Sequence, residues 1–284
     1  MEIHGKTLKL PLSHALPQYL GRFPHYDRLL GRLSDFVHTT YGFLKCIDVG
    51  ANIGDTIAAF YKHQNDVFLA IEPNPKFNQY LHKNFGDYGN VMILDYFCSS
   101  SSAAQHFEIH EHSGTASIHS NIDGFSMRAE TLDNIIVENP VFADFNLLKI
   151  DTDGHDFDVI DGASKIIKQN SPIIYFECYE STNSSYVEQC FKTLASLRQA
   201  GYGSCIVYDN YGHLMGRYSL EKIQAFRNLL FYQLTSFFAY FDILVMSDEH
   251  INDFLRSEHD YFISYIPKAG LRRTARSAAV VELD

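Results

Sequence analysis

Two short stretches of this sequence bring together residue types that could do chemistry. The first, Ile47-Asp-Val-Gly-Ala-Asn-Ile-Gly-Asp-Thr56, passes from an apolar run through Gly50 and Gly54 into a helix-like segment. A bulky side chain at either glycine would block a ligand from approaching the backbone, so the pattern predicts a turn that a ligand touches. The spacing Gly50-x-x-x-Gly54 is not GxGxxG, and the fingerprint that cradles a pyrophosphate is therefore absent. Asp48, just before the turn, would repel a phosphate but could accept hydrogen bonds from a cationic amino group or fix the loop. The second stretch, Asp151-Thr-Asp-Gly-His-Asp156, places three carboxylates and a histidine within six positions.

The two stretches imply different tasks. About twenty residues beyond the glycine turn stands Glu72, at the end of Asp66-Val-Phe-Leu-Ala-Ile-Glu. Doubly wound sheets place an acid there on a ribose diol, both hydroxyls of which one carboxylate can hold. A glycine turn with Glu72 says nucleoside, and the missing phosphate fingerprint says one without a pyrophosphate; S-adenosylmethionine fits both. In the second stretch His155 carries the side chain whose ordinary titration range suits a base near neutral pH, unless it simply opens the next helix. Asp151 and Asp153, with Glu177, could instead ligate a divalent cation such as Mg²⁺ through oxygen. The alternative has Asp151 positioning the cofactor's amino end and Glu177 the acceptor. Lys149, within an apolar run, is expected to pair with one of these acids.

Positioning such residues requires a sheet. From Phe43 onward apolar runs alternate with amphipathic segments, which predicts an α/β fold: a mostly parallel sheet with helices on both faces. Seven strands are expected, at 45–49, 67–71, 91–96, 146–150, 173–177, 204–208 and 241–246. Helices are expected at roughly 55–63, 75–84, 156–168, 185–200 and 220–236. Residues 1–41 read as an N-terminal helical cap, with apolar positions 26, 29, 30, 33, 36 and 37 on one helix face, and 42–284 as the main domain. Residues 104–130 break the strand–helix alternation and read as an inserted hairpin. Its His110, His112 and His119, beside Ser113-Gly-Thr-Ala-Ser117, suit a substrate-covering lid better than a zinc site. Tyr208-Asp-Asn-Tyr-Gly-His213 reads as a hairpin turn whose rings close the hairpin or stack on a sugar.

Composition removes other classes. The chain has 284 residues, 46% of them hydrophobic, enough for a full core. A net charge of −11 repels phosphate backbones and anionic headgroups, so no nucleic-acid partner is expected. The apolar stretch Leu229–Met246 contains Gln233, Thr235, Ser236 and Asp242, and reads as a packed helix entering a buried strand rather than a membrane span. Five cysteines without a CxxC pair read as buried thiols of a reducing, cytoplasmic protein, and the N-terminus has no secretory pattern.

These motifs, read in order, resemble the FkbM family of S-adenosylmethionine-dependent methyltransferases. The resemblance rests on Asp48-Val-Gly-Ala-Asn-Ile-Gly54, Ala70-Ile-Glu-Pro-Asn-Pro75, Thr131-Leu-Asp133, Lys149-Ile-Asp-Thr-Asp-Gly154, Gly162-Ala163 and Tyr175-Phe-Glu177, and covers about residues 44 to 180. It implies a class I, Rossmann-like methyltransferase fold with a seven-stranded sheet. It also implies methyl transfer, usually to a hydroxyl oxygen, in the tailoring of glycans, lipopolysaccharide sugars or polyketides. Carried over, Asp48, Gly50, Ala51, Asn52, Gly54, Glu72, Asn74 and Asp151 would hold the cofactor. The third strand departs from the family: Phe97-Cys-Ser-Ser100 puts Ser99 near where relatives end in an acid, which leaves the group facing the adenine edge open. A small residue is usual at position 155, so His155 as a base, with Asp151 and Asp153 beside it, is this sequence's own feature. The acceptor is expected to be a small molecule or glycan.

Overall fold

A computed structural model describes residues 1–112, 115–120, 125–179, 185–236 and 240–279, and for 103–127 its strands alone. The seven expected strands are present. They are β1 (Lys45–Val49), β2 (Val67–Ile71), β3 (Val91–Leu94), β4 (Leu147–Ile150), β5 (Ile173–Cys178), β6 (Ser204–Asp209) and β8 (Phe241–Val245). An eighth, β7 (Leu214–Ser219), continues the expected hairpin, whose turn is closed by Gly212 N–H to Asp209 O at 2.9 Å. The sheet order is β7-β6-β8-β5-β4-β1-β2-β3. Pairing is parallel from β5 through β4, β1 and β2 to β3, while β8 runs antiparallel to β5 and β6. The direction of strand progression reverses between β1 and β4, and open α/β sheets bind ligands at the carboxyl ends of such a pair.

Each sheet face buries its own apolar cluster. Ile47, Val49, Leu148, Ile150 and Phe176 point to the face covered by α5 (Leu132–Glu138), α6 (Asp156–Gly162), α7 (Ser164–Asn170), α8 (Tyr186–Gln199) and α9 (Gln224–Thr235). Cys46, Ala70, Leu147 and Leu244 point to the other, under α2 (Arg28–Tyr41), α3 (Asp55–Phe60), α4 (Pro75–Phe85) and α10 (Asp248–Ser264). The period-two alternation of a strand then fixes Asp48 and Lys149 on this second face, side by side across the β1–β4 pairing.

Several boundaries differ from the sequence reading. The helix expected at 156–168 is two, because Gly162 lies against the chain at Ser99; a Cβ there would stand 2.1 Å from the Ser99 carbonyl oxygen. Residues 103–112, 115–120 and 125–130 join Phe97–Cys98 in a separate four-stranded sheet, larger than the hairpin expected. Ser113, Gly114 and the side chains of His110, His112 and His119 lie outside the described residues. Helices α1 (Leu16–Arg22), α5, α10 and α11 (Ala269–Ala278) are additional to those expected. Among the described residues no helix is long and apolar enough to cross a membrane; of the apolar stretch, Leu229–Thr235 lies in α9 and Phe241–Val245 in β8.

Helix α2 shares the second cluster through Leu29, Leu30, Leu33 and Val37. It is also tied to α10 by Arg32, whose Nε and Nη2 donate to the two Glu258 oxygens at 2.5 and 2.6 Å. Glu258 is fully buried and also accepts from Tyr208 Oη at 3.0 Å. Removing one partner of such a pair strands a buried charge, whereas replacing both with apolar groups need not. Glu258→Ala is expected to cost about 3–5 kcal/mol in urea unfolding, and the double change Arg32→Met with Glu258→Met distinctly less.

Candidate active site

At the carboxyl ends of β1 and β4 lies a cleft of about 130 Å³, partly open to solvent. Its walls come from four regions. The β1 and β2 ends give Gly50, Asn52, Glu72 and Asn74; the β4 end gives Lys149, Asp151 and Asp153; the N-terminal segment gives His14, Leu16, Tyr19 and Tyr26. Tyr96, Phe97 and Cys98 complete it beyond β3.

Glu72 is held at the cleft by two backbone amides. Asn52 N–H donates to its Oε2 and Asn74 N–H to its Oε1, each at 2.8 Å. Asn52 reaches this position with a left-handed backbone, φ 48°. The Asn74 side chain caps α4 by accepting from Lys76 N–H at 2.8 Å and Phe77 N–H at 3.3 Å. Buried Lys149 places its Nζ 3.4 Å from Asp48 Oδ1 and 3.2 Å from Asp151 Oδ2. Asp48 is fully buried, and among the described residues neither of its oxygens finds an aligned hydrogen bond.

The glycines serve a purpose other than the one their sequence suggests. A Cβ on Gly50, at φ +80°, would stand 1.8 Å from the Asp151 carbonyl oxygen, and one on Gly54, 2.5 Å from the Phe85 ring. The approach each permits is of protein to protein: Gly50 lets the β1 and β4 loops meet. Asp156 fixes the other loop. Its Oδ2 accepts from Thr152 N–H and Oγ1–H at 3.1 and 2.7 Å, and its Oδ1 from Glu177 N–H at 3.0 Å. Asp133 of the Thr-Leu-Asp motif stands away from the cleft, accepting from Lys165 and Ile166 N–H at the start of α7.

A profile of the methyltransferase FkbM domain matches residues 48–203, more than half of the chain. The chain belongs to the FkbM methyltransferase family. No curated protein matches it. Among solved structures it is similar to the methyltransferase FkbM from Methylobacillus flagellatus KT, at 16% identity and a TM-score of 0.39 over 56% of this chain; it spans only 38% of that protein. It is also similar to an S-adenosylmethionine-dependent methyltransferase from Agrobacterium tumefaciens, at 10% identity and a TM-score of 0.42 over 80% of this chain and 63% of that one. An S-adenosylmethionine-dependent O-methyltransferase from Thermotoga maritima matches at 13% identity and 0.35 over 75% and 64%.

The cleft of this FkbM-family chain fits the S-adenosylmethionine that its family implies. Each Glu72 oxygen accepts one amide and keeps a second lone pair, which is what two ribose hydroxyls need. Burial pushes the Glu72 carboxyl up to about 7, a cost that two further donors would offset. Of the residues expected to hold the cofactor, Gly50, Asn52, Glu72, Asn74 and Asp151 line the cleft, while Asp48, Ala51, Gly54 and Ser99 act from behind it or beside it. Ser99 donates its N–H to Glu130 O and abuts Gly162, so Phe97 and Cys98 occupy the wall in its place.

The acids on the β4 side crowd one another. Burial pushes Asp156 up to about 6 and Asp242 up to about 8, with the Asp151 charge adding to both. Glu177 is held well above the usual carboxylate range by burial, then by Asp151, Asp156 and Asp153. The expected metal set is Asp151, Asp153 and Glu177. Among the described residues no three His, Cys, Asp or Glu side chains are arranged to hold an ion. Lys149 already supplies a cation to Asp151, and Asp153 sits in a left-handed turn at φ 51°. His155 heads α6 with its ring edge-on to Phe97 at 5.1 Å and its Nδ1 4.0 Å from Asp158 Oδ2; it is not among the lining residues. His14 and the tyrosines of the N-terminal segment escaped sequence reasoning, since no local pattern links residue 14 to residue 52.

Burial pushes Asp48 up to about 6, so its folded-state value lies above its unfolded one. The resulting stability is present below about pH 4 and lost as pH rises through 6. Asp48→Asn, which leaves Lys149 paired with Asp151 alone, is therefore expected to remove this group's fall in stability between pH 4 and pH 8, as read from urea unfolding of parent and variant at the two pH values.

Proposed function

We propose that this chain transfers the methyl group of S-adenosylmethionine to a hydroxyl of a carbohydrate or glycoconjugate. The observation that carries this reading is the chemistry of the rest of the cleft lining. Asp151 and Asp153 offer carboxylate oxygens to hydroxyl donors, and Tyr19 and Tyr26, stacked on each other with centroids 5.3 Å apart, bring aromatic surface to the same cleft. The acidic surroundings and the net charge of −11 favour a neutral acceptor over a phosphorylated one.

The bound donor supplies an electrophilic methyl on a sulfonium. What remains for the protein is to orient the hydroxyl and receive its proton. Asp151 suits both tasks: its side chain is 51% exposed at the cleft and is held by Lys149. A proton gained there relieves the repulsion that already raises Glu177, Asp242 and Asp156. Alignment of the two reacting atoms supplies much of the rate.

Two outcomes test this reading. S-adenosylhomocysteine should bind in titration calorimetry, and its affinity should fall about tenfold per pH unit below 7, because the diol requires ionised Glu72; Glu72→Ala should bind at least about tenfold more weakly at pH 8. With methyl-labelled donor and a panel of neutral sugars and glycolipids, label should pass to an acceptor hydroxyl. Asp151→Asn should then lower kcat about 100-fold or more while shifting S-adenosylhomocysteine affinity less than about tenfold, and His155→Gln should stay near the parent rate. The reverse ranking of the two variants would assign the proton to His155.

A further inference from the structure

The N-terminal segment forms a wall of the cleft and is seated by Leu16 in the core and by Phe23 against Tyr211, with ring centroids 4.3 Å apart. Within α1 the buried residue is Leu16, while Tyr19 is 44% exposed and the preceding Leu12 is fully exposed. The segment reaches the Glu72 turn through the His14 side chain. Its Nδ1 accepts from Leu16 N–H at 3.2 Å, which leaves the ring proton of the neutral imidazole on Nε2. Nε2 lies 3.4 Å from Asn52 Oδ1, and Asn52 N–H in turn donates to Glu72 Oε2. A continuous path of hydrogen bonds therefore runs from the amide at the start of α1, through His14 and Asn52, to the carboxylate at the ribose position.

We propose that His14 is a positioning residue that couples closure of the 11–23 segment to cofactor binding. The inference rests on Glu72 holding the cofactor as argued above. With the segment docked, His14, Leu16 and Tyr19 line the cleft beside Glu72, so a cofactor bound there meets the segment directly. Docking makes the His14 Nε2–H bond and holds Asn52 in the left-handed conformation that aims its amide at Glu72. Cofactor and segment thus stabilise each other, and each binds more weakly without the other.

Two isosteric variants separate this role from a merely structural one. Asn at position 14 presents its amide where Nδ1 stands and retains the turn to Leu16. Gln presents its amide where Nε2 stands and retains the contact to Asn52. The full chain and both variants would be titrated with S-adenosylhomocysteine, and amide hydrogen exchange over 11–23 followed with and without it. The expected result is slowed exchange in the parent on binding. His14→Asn should bind about three- to tenfold more weakly and lose that slowing, while His14→Gln stays within about twofold of the parent. Exchange over 11–23 that ignores the ligand in a parent that binds it, or recovery by Asn rather than Gln, would overturn the inference. A folded parent that does not bind S-adenosylhomocysteine would instead overturn the proposed function on which it rests.

Discussion

A buried lysine between two acids organises this protein's cleft. Lys149 stands opposite Asp48 across the central strand pair, 3.4 Å from it, and reaches Asp151 at 3.2 Å. A lone charge at this depth would cost several kcal/mol, and Asp48 without Lys149 would be such a charge. The pair therefore fixes the register of β1 against β4 at the point where strand progression reverses. Gly50 can then lie against the Asp151 carbonyl, and the two loops open one cleft instead of two.

The two ends of the cleft follow from what surrounds this pair. Toward β2 the acid is single, and amides hold it: Glu72 accepts two N–H groups and faces space. Toward β5 acids accumulate around one lysine, and the consequence is raised proton affinity at Asp156, Glu177 and Asp242. One end is suited to holding neutral hydroxyls firmly, the other to accepting a proton. Asp156 keeps the crowded end in order by tying Thr152 to the end of β5.

Much of this arrangement is legible in the sequence, for identifiable reasons. The central strands are short, uninterrupted apolar runs, and a polar residue inside such a run, Asp48 or Lys149, must find a partner. Glu72 is legible because a strand end and a following Pro-Asn-Pro fix where it points. The purpose of Gly50 and Gly54 is not: a sequence says that something comes close, and only the fold shows that it is the Asp151 carbonyl and the Phe85 ring. Asp133 and Gly162 share that ambiguity, since helix capping and close packing leave the same marks as a ligand site. His14 is invisible because its partner lies 38 residues away. Helix α10 carries Ile251, Phe254 and Leu255 at helical spacing, a signal present but outweighed by the polar residues between them.

The reading proposed for this cleft turns on Glu72, carried by the amides of Asn52 and Asn74, holding the ribose of S-adenosylmethionine. A crystal structure of the chain with S-adenosylhomocysteine would show this at once. Both ribose hydroxyls are expected within hydrogen-bond distance of the Glu72 carboxylate, with the Asn52 and Asn74 amides still in place. A ligand bound with its ribose elsewhere and Glu72 unchanged would contradict it.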